Sequence, residues 1–254
     1  MTRTPLAVVA ATIFVFLHLP LAILIAFSFN ESRFTVWEGL SLRWYRAVAA
    51  DNQVLEATWN SFLIALAATA ASTAIGTLGA YGMWKRRAPL LSASLYLSLM
   101  TPEIVMGVGL LALFQGAFRF LHWQLGLHTV ILAHVAFCVA YVAIVVAARL
   151  RTMDPALEEA AMDLGCTEWG AFFRVTLPVL APGVVAAALL ALTVSFDDYV
   201  ITSLVAGVDS ETLPMVIYAM ARRGANPEIN AISALVVVVF GALILISSRL
   251  SRHP

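Results

Sequence analysis

Charged residues are scarce in this 254-residue chain: Asp, Glu, Lys and Arg make up 12%, about half the roughly 25% of an ordinary soluble domain. Lysine occurs once, at Lys85, and no Gly-x-x-x-x-Gly-Lys-Ser/Thr loop is present. That excludes nucleotide binding by a P-loop in this chain. The 15 basic and 15 acidic residues cancel, so there is no basic excess of the kind nucleic acid binding requires. Of the two cysteines, Cys138 sits in an apolar run and Cys166 in a charged loop. They are not expected to pair, and neither has a partner at metal-ligand spacing; both read as structural. His18, His122, His128 and His134 are likewise scattered and read as packing or interface residues. No strand-like alternation, repeat or low-complexity tract is present.

What the chain does have is apolar surface: 61% hydrophobic residues and a mean hydropathy of +0.91. A soluble fold needs a polar exterior, so this excess requires lipid. A spanning helix takes about 20 mostly apolar residues. Six runs approach or exceed that length: 6–29, 61–84, 91–117, 129–150, 183–206 and 231–248. Each is apolar all round, as expected of lipid-facing or bundle-buried helices. The β-branched stretch Val236 to Val239 does not alter the assignment, because lipid admits only helices or closed barrels. The chain is therefore expected to be an all-α integral membrane protein of about six helices in a single domain, 1–254. The first run is too long for a signal-peptide core and lacks a small-residue cleavage site, so it reads as a retained span. With a cytosolic N-terminus, nine of the Lys and Arg residues, including Lys85-Arg86-Arg87, fall on the cytosolic side and six on the other. This lean places both termini in the cytosol.

Three acids interrupt the apolar runs: Glu103, Asp197 and Asp198. An Asp near a helix centre costs about 2.5–3.5 kcal/mol on insertion, and such residues usually face a bundle interior or an aqueous pathway. Neighbouring helical residues point about 100° apart, so Asp197 and Asp198 do not share one face. Each either lines a pathway or serves structure, by capping a broken helix or pairing with an outer-loop arginine. For a cationic solute they are natural counter-charges, with a cation–π contribution from Tyr199 or Phe196. Glu103 follows Pro102 near Gly107 and Gly109, which reads either as an interrupted helix whose backbone lines a cavity or as an interfacial kink. Ala68, Ser72, Gly76, Gly79 and Gly82 are expected to permit close helix contact.

The loop after the fourth run is polar and patterned. Asp154 can cap a helix with Pro155 at its first position. Glu158 and Glu159 suit the early turns, and Gly165 sits where that helix would end. A second short helix is expected from about Glu168 to Arg174, stopping before Pro178. Small residues at 160, 161 and 165 would let another protein approach closely.

Glu159-Ala160-Ala161, three residues, Gly165, nine residues, Val175, one residue, Leu177-Pro178 resembles the EAA-loop signature of ATP-binding-cassette (ABC) importer permeases, with Val in place of the usual Ile. Five further stretches resemble the spermidine/putrescine importer permeases of the second-permease type, and together they cover nearly the whole chain. They are Leu42-Arg43-Trp44-Tyr45, Thr101-Pro102-Glu103-Ile104-Val105-Met106, Ser195-Phe196-Asp197-Asp198-Tyr199-Val200-Ile201, Leu213-Pro214-Met215-Val216-Ile217-Tyr218 and Asn226-Pro227-Glu228-Ile229-Asn230-Ala231.

The resemblance implies a type I ABC importer permease bundle in the cell inner membrane. Its cytosolic loop, about 154–178, would be a coupling helix seated in a groove of the ATPase, with Glu159, Ala160, Ala161, Gly165, Glu168, Leu177 and Pro178 carrying the contact. Asp197, Asp198, Glu103, Ser195, Tyr199 and Trp44 would line the solute pathway. The implied partners are a second homologous permease, two copies of a cytosolic ABC ATPase, a periplasmic or surface solute-binding protein and the lipid bilayer, with no nucleic acid. No cofactor is expected in this chain, because ATP and Mg would bind the ATPase. The implied solute is a polyamine; an amino-acid derivative, a phosphonate or a metal chelate is the alternative. Rival readings are a proton- or sodium-driven carrier working alone, a scaffold, and an intramembrane enzyme. Ser195 beside Asp197 is not a triad without a histidine.

Overall fold

The apolar runs fold as helices, and two of them are interrupted, one at Thr101-Pro102 and one at Asp198. The computed structural model describes residues 3–34, 36–86, 88–121, 124–224 and 227–250, with backbone alone at 3–5, 121 and 244–250. Arg87, His122, Asn226 and Arg252 lie outside the described residues, as do the side chains of Arg3 and Arg249.

In chain order the helices are α1 (Arg3–Phe27), α2 (Arg43–Ala50), α3 (Asn52–Arg86), α4 (Pro89–Met100), α5 (Glu103–Leu121), α6 (Leu127–Leu150) and α7 (Ala156–Asp163). They continue with α8 (Glu168–Ala171), a π turn (Phe172–Thr176), α9 (Leu177–Asp197), α10 (Val200–Val205), α11 (Leu213–Arg222) and α12 (Pro227–Leu250). Among the described residues, five stretches are long and apolar enough to cross a membrane: Leu6–Phe27, Asn52–Arg86, Glu103–Phe120, Leu127–Leu150 and Glu168–Asp197. The sixth run lies within α12, a helix of 24 residues. At about 1.5 Å per residue that length exceeds the roughly 30 Å hydrocarbon layer.

The chain divides into two compact units, Met1–Glu56 with Val216–Ile246, and Ala57–Met215 with Ser247–Pro254. In the first, the segment after α1 is organised by Asn30. Its Oδ1 accepts from Glu38 N at 3.0 Å, and its Nδ2 donates to Val36 O at 2.8 Å. Trp44 Nε1 donates to Asn30 O at 2.8 Å, and Tyr45 Oη meets Ser28 Oγ at 2.6 Å, so α2 is tied to the turn that precedes it. Asp51 Oδ1 accepts from Gln53 N at 2.9 Å and caps α3.

The second unit is built on α6. Val130, Ala133, Phe137, Cys138, Val142, Val146 and Leu150 are buried against Ile64, Ala80 and Tyr81 of α3, Leu180, Ala187 and Ala191 of α9, and Ile201 and Val205 of α10. In lipid such contacts act through close packing rather than through release of water. Ala68, Ser72 and Gly76 are buried on α3, and a Cβ at Gly76 would sit 2.8 Å from Val142. The expectation for Gly79 and Gly82 is corrected: nothing lies within 4 Å of a Cβ at either, so they carry no close contact among the described residues.

Two expected spans are discontinuous. The run 91–117 breaks at Thr101-Pro102: Thr101 is extended (ψ 127°), the conformation that a following proline imposes. The run 183–206 breaks at Asp198, also extended (ψ 125°), before α10 begins. The short helix expected to stop before Pro178 instead runs on through the π turn into α9. Pro178 follows directly on the π turn, in the first turn of α9, so the change in hydrogen-bond register falls where its N–H is missing.

Candidate functional site

Both helix breaks open onto one cavity of about 650 Å³, lined by residues 98–103 and 197–201 together with Met106, Phe137, Tyr141, Thr193 and Val194. Glu103, Asp197, Asp198 and Tyr199 are therefore brought together, and no Lys, Arg or His is among the described residues that line it. The approach of α5 to α10 behind the cavity depends on Gly107, where a Cβ would lie 2.6 Å from Leu204 Cδ1.

The two adjacent aspartates have opposite surroundings. The Asp198 carboxylate caps α10, accepting from Thr202 N at 2.8 Å, Thr202 Oγ1 at 2.7 Å and Ile201 N at 3.4 Å. His134, on α6, completes the set: its Nε2 lies 2.9 Å from Thr202 Oγ1 and 3.5 Å from Asp198 Oδ2, and its Nδ1 lies 2.7 Å from Ser195 Oγ. A carboxylate only accepts. Thr202 therefore donates to Asp198 and accepts from Nε2–H, and Nδ1 of a neutral ring accepts from Ser195. Asp197 is exposed on the cavity side, and no described residue makes a hydrogen bond or ion pair to its carboxylate.

This network corrects the reading of His134 as a packing residue: it braces α6, α9 and α10 around the break. Its residue types match a nucleophilic triad. However, Ser195 is buried within α9, and neither it nor His134 lines the acidic cavity, so a substrate in that cavity does not reach Ser195 Oγ. Phe196 is buried against Phe62, with ring centroids 5.0 Å apart. The aromatic lining is instead Phe137, Tyr141 and Tyr199. Trp44 belongs to the first unit, is buried, and is not among the residues that line this cavity.

At the loop, Asp154 Oδ1 accepts from Ala156 N at 3.0 Å and starts α7. Gly165 ends it with φ +91°, while Cys166 N donates to Ala161 O at 3.1 Å and Gly165 N to Met162 O at 2.9 Å. This is the Schellman stop, which favours glycine. Thr167 caps α8 through Gly170 N. Glu159, Ala160, Gly165, Glu168 and Pro178 are exposed, Ala161 and Leu177 half-buried, and Leu157, Leu164, Trp169 and Phe173 present apolar surface beside them. Glu158 points the other way and is 1% exposed, bonded by Tyr81 Oη and 3.3 Å from Lys85 Nζ.

Two discontinuous helices around an acidic cavity, joined to a structured interhelical loop, suit a solute-moving membrane bundle, and the fold is that of a type I ABC importer permease. The chain belongs to the family of binding-protein-dependent transport system inner membrane components, which matches residues 72–253. It is 39% identical over 247 residues to the putrescine transport system permease protein PotI of Escherichia coli K12, covering 94% of this chain and 88% of that protein. It is 35% identical over 244 residues to the spermidine/putrescine transport system permease protein PotC of the same organism, covering 94% and 91%. Its fold is similar to that of a bacterial alginate ABC transporter, solved in complex with an alginate pentasaccharide-bound periplasmic protein. The TM-score is 0.75 at 17% identity over 98% of this chain and 94% of that one. The chain is thus a multi-pass membrane permease subunit of a binding-protein-dependent ABC importer. It is a transport subunit rather than an enzyme, which also sets aside the lone ion-coupled carrier and the scaffold.

Proposed function

We propose that this permease moves a polyamine, spermidine or putrescine, across the inner membrane by alternating access. The observation that carries the reading is the cavity between the two helix breaks: among the described residues, three carboxylates and no basic side chain line it. A polycation meets its counter-charges there, with Glu103 and Asp197 facing the solute and Tyr141 and Tyr199 offering ring faces. The two similar permeases are named for the same solutes. Both termini and the loop 154–178 lie in the cytosol in this reading. Of two ATPase copies, which hold ATP and Mg, one seats α7 and α8 in its groove. A second permease completes the pathway and a periplasmic binding protein delivers the solute. ATP closes the ATPase pair and opens the bundle outward; hydrolysis resets it inward.

The test is ATP-dependent uptake of labelled spermidine and putrescine into proteoliposomes holding the complex purified through this chain, with its binding protein. Glu103→Gln and Asp197→Asn should each raise the half-saturating concentration, by about ten-fold for the loss of roughly 1.4 kcal/mol of counter-charge, while the ATPase still co-purifies. Unaltered uptake in both variants would sink the pathway assignment.

A further inference from the structure

We propose that Lys85 and Tyr81, acting through Glu158, tether α7 to the end of α3, so that α3 moves with the element the ATPase pushes. This rests on the coupling reading above. Helix α7 has eight residues, too few to be stable alone, and Glu158 is its one buried residue. A buried carboxylate is strongly unfavourable unless it is paired. Here Oε1 accepts from Tyr81 Oη and faces Lys85 Nζ at 3.3 Å, while Oε2 is buried with no hydrogen-bond partner among the described residues. The carboxylate therefore depends on the charge of Lys85, the single lysine of the chain.

The contact is keyed on both sides. Lys85 Nζ lies 5.8 Å from the Tyr81 ring centroid and 5.5 Å from that of Trp84. The Tyr81 ring packs 4.6 Å from that of Phe172 in the π turn, and Phe172 meets Trp169 of α8 edge-on at 5.9 Å. The loop thus reaches α9 along a helical backbone that is continuous but for the π turn, and it reaches α3 through this ion pair. Glu158 and Glu159 divide the work: Glu159 is exposed toward a partner, and Glu158 holds the helix to the bundle. Lys85, Tyr81 and Glu158 are positioning residues.

The test uses the assembled complex with Cys166→Ser as parent, so that Lys85→Cys carries the reactive thiol while Cys138 stays buried. Polyamine imported per ATP hydrolysed should fall about five-fold or more in Lys85→Cys, the low end of typical coupling between sites. The aminoethyl methanethiosulfonate reagent, which restores an ammonium group at that position, should recover the ratio; methyl methanethiosulfonate should not. Each comparison is made on one folded preparation before and after modification. The neutral pair Lys85→Met with Glu158→Gln, which leaves no orphan charge, should assemble with the ATPase and show the same reduced ratio. A wild-type ratio in Lys85→Cys or in the neutral pair, or equal ratios after the two reagents, overturns the tether. Absence of ATP-driven uptake in the wild-type complex overturns the transport reading, and the tether with it.

Discussion

Asp197 and Asp198 show how far two neighbouring carboxylates can diverge. Asp198 is occupied by Thr202 and His134, whereas Asp197 has no partner among the described residues and faces the cavity. Replacing Asp198 with Ala should remove the α10 cap at a cost of about 0.5–2 kcal/mol and leave the Thr202 N–H and hydroxyl without their acceptor. Asp198→Asn keeps an acceptor and should lose less. Thermal melting of the solubilised protein would order them wild type, Asp198→Asn, Asp198→Ala, with Asp197→Asn close to wild type; equal melting for all three variants would contradict the division. The acids were legible in the sequence because a carboxylate in an apolar run is anomalous on its own. His134 and Glu158 were not, because their meaning comes from partners 61 and 77 positions away. A lone His in an apolar run, or one Glu of a pair in a helix's first turn, carries no sign of such a partner.

At the scale of elements, the apolar runs predicted where helices would form but not where they would break. The run 91–117 reads as one span by hydropathy, since Thr101 and Pro102 hardly lower it, yet proline chemistry divides it. The 30-residue stretch from Glu168 to Asp197 shows the converse: Pro178 suggested a stop, and the helix runs on through the π turn just before it. Glycines separate by the same logic. Gly165 has open space around a Cβ but φ +91°, so Gly165→Ala should cost about 1–2 kcal/mol in backbone strain alone. Gly207 has an ordinary φ, yet a Cβ would lie 1.8 Å from Leu125 O. That clash is with backbone and no rotamer relieves it. Gly207→Ala should therefore reduce the yield of monodisperse protein far more than Gly165→Ala, and Gly165→Ala should instead lower uptake relative to ATP hydrolysis. Size-exclusion yields that rank the other way would refute the distinction.

For the whole molecule, the loop signature carried the family, because fixed spacing reports a surface that must fit another protein. The orientation rested on a modest lean of nine basic residues against six, and the fold adds an independent constraint. The ion pair of Lys85 with Glu158 requires the end of α3 and the loop to share one end of the bundle. If that end is cytosolic, the chain holds its own reporter: Cys166 is partly exposed in the loop, and Cys138 is buried in the α6 core. An impermeant maleimide should leave intact spheroplasts unlabelled and should label inverted membrane vesicles at Cys166, with Cys166→Ser abolishing the signal. Co-expression of the ATPase should protect Cys166 in the inverted vesicles, because it lies in the chain between Gly165 and Glu168, both assigned to coupling. Labelling of intact spheroplasts would put the loop on the outer surface, where no ATPase can reach it, and would overturn both the orientation and the coupling assignment.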